Sequence, residues 1–191
     1  HELLAADFFH NQISRLVPKE QGKGFLIEEA VPKIGRASAI TKAVKGLYVS
    51  GYASGNITWV KGRDGFLTLT DLDKIIDLEI IGQELYLARF GHHPTLLKFD
   101  LQTEEKTILE NDFNISALVA EDKDLWVVFA QNKKSALGKI VENKLVEVAS
   151  LDCLFPVKVA FAGERLFYTS IADPEGRVFY SLKKNLQKNG R

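Results

Sequence analysis

A short strand-like motif recurs along the chain, and its spacing limits the possible folds more than any other feature. GLYVSGY at 46–52, ELYLARF at 84–90, DLWVVFA at 124–130 and RLFYTSI at 165–171 each carry a leucine followed by an aromatic residue. The anchors Leu47, Leu85, Leu125 and Leu166 lie 38, 40 and 41 residues apart. Aromatic and β-branched residues suit a pleated, half-buried surface, so each motif is expected to be a β-strand. A period of this length marks a repeat architecture, in which units bury a core only by stacking on their neighbours.

The flanks repeat as well. NITWV, TLLKFD, ALGKIV and RVFYSL follow the anchors after a polar turn, and ASAIT, IDLEI, SALVA and VKVAF precede them. GFLTLTDL at 65–72, EKTILEND at 105–112 and KLVEVASL at 144–151 supply one further run each. Each unit therefore reads as four short strands, and no segment in this repeat region has both the length and the 3.6-residue period of a helix. The opening ELLAADFFHNQISRLV at 2–17 is ambiguous, because Leu3, Leu4, Phe8, Ile13, Leu16 and Val17 could also form a helical stripe. Aligned with GLYVSGYASGNITWVK, it places Leu3 on Leu47 and Ile13 on Ile57, and Gly-Phe-Leu then recurs at 24–26 and 65–67. A hairpin is the preferred reading.

Four-stranded units of about 40 residues are the signature of a β-propeller. The expected fold is all-β, with about five four-stranded blades near 1–35, 36–73, 74–114, 115–153 and 154–191 in a single domain. The first and last blades are incomplete, since the chain starts at a second strand and ends in the charged KKNLQKNGR. Either a five-bladed ring closes around an incomplete blade, or the natural chain continues.

Composition removes some function classes. Lys plus Arg and Asp plus Glu number 25 each, so no net field draws the chain to nucleic acid or an acidic membrane. No apolar run is long enough to span a membrane. The lone Cys153 excludes an internal disulfide and a cysteine-based metal cluster, and reads as a buried thiol. The absence of methionine predicts a processed or trimmed product and favours an exported one. G-x-S-x-G, P-loop and H-E-x-x-H motifs are missing.

LLAADFFHNQISRLVP at 3–18 resembles the repeat of NHL-type propellers, through Leu3-Leu4, Asp7, Asn11 and Ile13-Ser14-Arg15. GLYVSGYASGNITWV is a weaker copy, with Gly51 in place of the aspartate and Asn56 retained, and IADPEGRVFYS at 171–181 resembles the Asp-x-x-Gly turn of the same superfamily. The superfamily includes regucalcin-type sugar lactonases. In the family the Asp and Asn serve the turn, because both accept backbone hydrogen bonds and tolerate left-handed backbone. The lactonase branch implies a divalent metal such as calcium in a central channel. Of the comparable positions only Asp77 and Asn114 could be ligands, whereas a hard cation wants six or more oxygens. No catalytic residue carries over.

In such blades the turns between second and third strands share a face with the connections between blades. That face is expected to gather His10, Tyr52, His92, His93, Lys133, Asp173 and Arg177 as ligand-binding candidates, joined by linkers around 33–36, 71–74, 111–114 and 152–156. Neighbouring histidines diverge, so GHHP at 91–94 reads as a turn and not a metal site. Glu28-Glu29 and Glu104-Glu105 read as solvated edges, and Trp59 and Trp126 as packing between blades. The expected function is a non-catalytic scaffold binding a protein, peptide or glycan on this face, with no cofactor. The alternative is a metal-dependent hydrolase or lyase of the regucalcin-like type.

Overall fold

Strand follows strand throughout the computed structural model, which describes residues 3–19, 24–31, 34–61, 64–72, 74–91, 95–111, 113–131, 134–151, 156–170, 174–175 and 178–182. The first sheet is β1 (Leu3–Asp7), β2 (Gln12–Pro18) and β3 (Phe25–Val31); the second is β4 (Ala37–Ala43), β5 (Gly46–Gly51), β6 (Asn56–Lys61) and β7 (Asp64–Leu69). The third holds β8 (Ile75–Ile81), β9 (Glu84–Arg89), β10 (Thr95–Asp100) and β11 (Lys106–Asn111). The fourth holds β12 (Asn114–Glu121), β13 (Asp124–Gln131), β14 (Lys134–Val141) and β15 (Lys144–Leu151); the last, β16 (Pro156–Ala162), β17 (Arg165–Ser170) and β18 (Val178–Leu182). Every sheet runs in simple sequence order, the meander of a propeller blade, and the fold is of the all-β propeller class. Among the described residues the first and last sheets have three strands each, in line with the incomplete blades expected there. No helix among the described residues is long and apolar enough to cross a membrane.

The ambiguous opening is a hairpin. Leu3 pairs with Leu16 and Asp7 with Gln12, and on β2 Ile13 and Ser14 are buried while Arg15 is exposed. Ile13 and Ile57, aligned in sequence, are both fully buried. The leucine anchors are less uniform: Leu85, Leu125 and Leu166 are buried, Leu47 is half-buried and Leu3 is exposed. Register also displaces one expected match. Asn56 pairs with Gly51 as Gln12 pairs with Asp7, so the counterpart of Asn11 is Gly55.

The chain divides into two compact units, His1–Leu78 and Glu79–Arg191. In the first unit, Ile13, Val31, Ile34, Ala37, Val49 and Val60 form one core that joins the first two sheets. In the second, Ala117, Val128, Leu137, Leu151, Leu166 and Tyr168 do the same for the last two. Each large aliphatic side chain buried in this way contributes about 2 kcal/mol. Trp126 packs across sheets as expected, its ring 5.3 Å from Phe161, with Lys139 Nζ 5.6 Å above it. Trp59 instead meets Phe66 of its own sheet at 5.7 Å.

A bulge recurs on the first strand of three sheets, where pairing skips one residue at Ser38, Ser116 and Val157. Ser38 Oγ then donates to Ile75 O at 2.6 Å, stitching β4 to the start of β8. In the third sheet Tyr86 Oη and Lys98 Nζ both engage the Glu84 carboxylate, at 2.5 and 2.9 Å. The Tyr86 hydrogen bond, seconded by Lys98, holds that carboxyl below its usual range, while burial raises the Tyr86 phenol. This is a structural clamp on a strand pair.

Candidate functional site

The first unit presents two hairpin turns and two inter-sheet connections together. The turn at 8–11 joins β1 to β2, and the turn at 52–55 joins β5 to β6. Each receives the connection that follows its own sheet: Ile34 N donates to Asn11 O at 2.8 Å, and Leu72 N donates to Gly55 O at 3.0 Å. Ile34 and Leu72 are buried, so an apolar plug anchors each connection beside its hydrogen bond. Tyr52 N further donates to Arg36 O at 2.9 Å, tying the second turn to the first connection. Asn11, Arg36, Gly55 and Asp71 all adopt left-handed backbone, with φ of 58°, 49°, 62° and 57°. For a residue such as arginine this costs about 1 kcal/mol or more.

Side chains fix the first turn. Asp7 Oδ1 accepts from His10 N at 3.1 Å, and His10 Nδ1 lies 2.9 Å from both carboxylate oxygens. Ser14 Oγ donates to Asp7 Oδ2 at 3.1 Å and accepts from Gln12 Nε2 at 3.0 Å. The hydrogen bond from the His10 ring, then that from its backbone, holds the Asp7 carboxyl below its ordinary range. Serine, aspartate and histidine thus meet with the carboxylate in the middle. A nucleophilic triad needs the histidine between the other two, whereas here the carboxylate lies between the hydroxyl and the imidazole. The group braces a turn.

Above the brace lies an aromatic cluster. The Phe8 ring meets Phe9 at 5.5 Å and Tyr52 at 5.7 Å, and the Arg36 guanidinium lies 5.6 Å over it. Phe9 is 88% exposed. Asn11 Oδ1 accepts from Arg36 N at 2.8 Å, which pins Arg36 against the same turn. Next to it opens a depression of about 510 Å3, lined by Arg36, Tyr52, Ser54, Asp71 and Lys74 with Ala53 and Gly55. Asp71 Oδ2 accepts from Thr70 Oγ1 at 3.1 Å. A second cavity in this unit, about 400 Å3, has mostly apolar walls including Leu4, Leu47 and Val60.

Of the sequence candidates, His10 and Tyr52 stand on these two turns, linked through Phe8 and Arg36. His92, His93, Lys133, Asp173 and Arg177 lie outside the described residues, as does Cys153. Asp77 is buried on β8 and already partnered, whereas Asn114 is exposed at the start of β12. Among the described residues, no group of three or more His, Cys, Asp and Glu could hold a metal ion. Glu28 extends into solvent toward Arg15, 4.0 Å away. Sequence reasoning placed the connections on this face but did not single out Arg36, Asp71, Lys74 or Phe8. Gly35-Arg36 and Thr70-Asp71, turn-forming pairs just ahead of new strands, were the available signal.

No protein-family model matches the chain, and no curated protein matches it. Solved structures do. The computationally designed Ika4 protein superposes with a TM-score of 0.57 at 13% identity, covering 81% of this chain and 98% of its own. A chain of a nidogen/laminin complex superposes with a TM-score of 0.51 at 12% identity, covering 97% and 90%. At such identities the likeness establishes the propeller fold alone.

Proposed function

We propose that this protein is a non-catalytic propeller scaffold that docks a protein or peptide on the face formed by turns 8–11 and 52–55. The observation that carries the reading is the exposed Phe9 beside Phe8, Tyr52 and Arg36. Aromatic residues and arginine supply most of the binding energy at protein interfaces, and a solvent-facing phenylalanine lowers its free energy by being covered. Backbone hydrogen bonds from both connections hold the cluster in place before any partner arrives, which reduces the ordering cost of binding. The nidogen/laminin complex adds a fold-level analogy for a protein partner.

Panning a random-peptide display library and a glycan array with the intact chain tests this reading. Enriched peptides should lose binding to Phe9→Ser and Tyr52→Ala by about tenfold or more. Equal retention on both variants, or enrichment of glycans alone, would overturn it. Stoichiometric calcium or zinc surviving dialysis against chelator, together with lactone turnover, would replace it with a metal-dependent hydrolase or lyase.

A further inference from the structure

We infer that the depression beside turn 52–55 receives an aspartate or glutamate side chain of the docked partner, with Arg36 as its main donor; this rests on the docking reading above. Some cations among the described residues already face carboxylates. Arg15 faces Glu28, Lys98 binds Glu84 and Lys139 binds Asp124. Arg36 and Lys74 line the same depression, yet neither has a carboxylate within 4.0 Å among the described residues.

Arg36 is also prepared for such a ligand. Its guanidinium lies 5.6 Å over the Phe8 ring, a cation–π contact that is compatible with a bidentate carboxylate at its N–H groups. Its backbone is fixed at φ 49° by Asn11 Oδ1 and by Tyr52 N. Glycine takes that conformation freely, so the fold itself gives no reason for an arginine there.

The remaining lining selects the ligand. Among the described lining residues, Arg36 and Lys74 against Asp71 leave one net positive charge, which matches a single carboxylate better than a doubly charged phosphate. Asp71 offers an acceptor for the amide N–H groups that accompany a peptide side chain. Tyr52 and Ser54 add polar contacts at the wall.

The probe is N-acetylglutamic acid α-amide, titrated into the intact isotope-labelled chain and followed by amide and arginine side-chain NMR shifts. Saturable shifts are expected at Arg36, Tyr52, Gly55 and Lys74, with none from the neutral N-acetylglutamine α-amide. Arg36→Gly should keep or raise the unfolding midpoint while weakening the probe by about tenfold or more. Lys74→Gln should weaken it less. Unchanged binding to Arg36→Gly, equal shifts from the neutral probe, or equal affinity for galacturonate or inorganic phosphate would overturn the inference. Peptides from the display experiment separate the two ideas. Phe9-dependent peptides without acidic residues sink the carboxylate site and leave the docking face standing. Arg36-dependent binding of the probe with no enriched peptide does the reverse.

Discussion

The turn at 8–11 and the turn at 52–55 have the same backbone plan and different chemistry. Both close four-residue hairpins, both end in a left-handed residue, and both accept a backbone N–H from the connection after their own sheet. In the first, Asp7 and His10 brace the loop by side-chain hydrogen bonds, and Asn11 reaches across to Arg36. In the second, Gly51 and Ser54 stand at the matching positions, and Gly55 N and Ser54 Oγ both donate to Gly51 O, at 2.9 and 3.3 Å. The repeat therefore conserves where the chain goes and leaves open how the turn is held. That freedom lets one turn carry an aromatic cluster while its neighbour opens into a polar depression.

Forcing the second turn to resemble the first should have the largest effect. A Cβ on Gly51 would run into Ser54 Oγ and come within 2.8 Å of Gly35 O. Gly51→Ala is expected to cost about 2 kcal/mol in urea unfolding, because the first connection must shift to make room. Asn11→Ala comes next, at about 1.5 kcal/mol, since it loses both the tolerance for φ 58° and the acceptor for Arg36 N. Asn11→Gly keeps the backbone and should cost less, while Gly55→Asn should lie within about 1 kcal/mol of wild type. Equal costs for Asn11→Ala and Asn11→Gly would show that the side-chain hydrogen bond, not the backbone, dominates.

The smallest effect is one of pH. Asp7 has a folded pKa below its ordinary 3.8, so its brace stabilises the fold above that value. The contribution is lost as pH falls through the lower folded pKa. Asp7→Asn should therefore lower the unfolding midpoint near neutral pH, and differ progressively less from wild type as pH falls below 3.8. The matching position in the second turn carries no carboxylate, and substitutions there should show no such dependence. Thermal unfolding of each variant across pH checks this.

The spacing of four leucines and the alternation around them made the strands legible, the opening hairpin included. The succession of neighbouring strands was legible too, because short apolar runs joined by tight polar turns pair in sequence order, whereas the register was not. The binding surface was only half legible. His10 and Tyr52 could be read as turn residues, but Arg36 became notable only when Phe8, Asn11 and Tyr52 were found to hold it. Asn11 lies 25 residues away along the chain and Phe8 lies farther still, and no local pattern records such distances. The expected match of Asn56 to Asn11 failed for a related reason: a shared residue type next to a turn does not fix its place in the ladder.

The sequence by itself determined that this chain forms small antiparallel sheets in succession, since alternation and turn chemistry act between near neighbours. Only the tertiary structure decided which side chains meet on the loop face. Those contacts depend on connections folding back onto earlier turns, through backbone groups that every residue but proline possesses and that composition therefore cannot reveal.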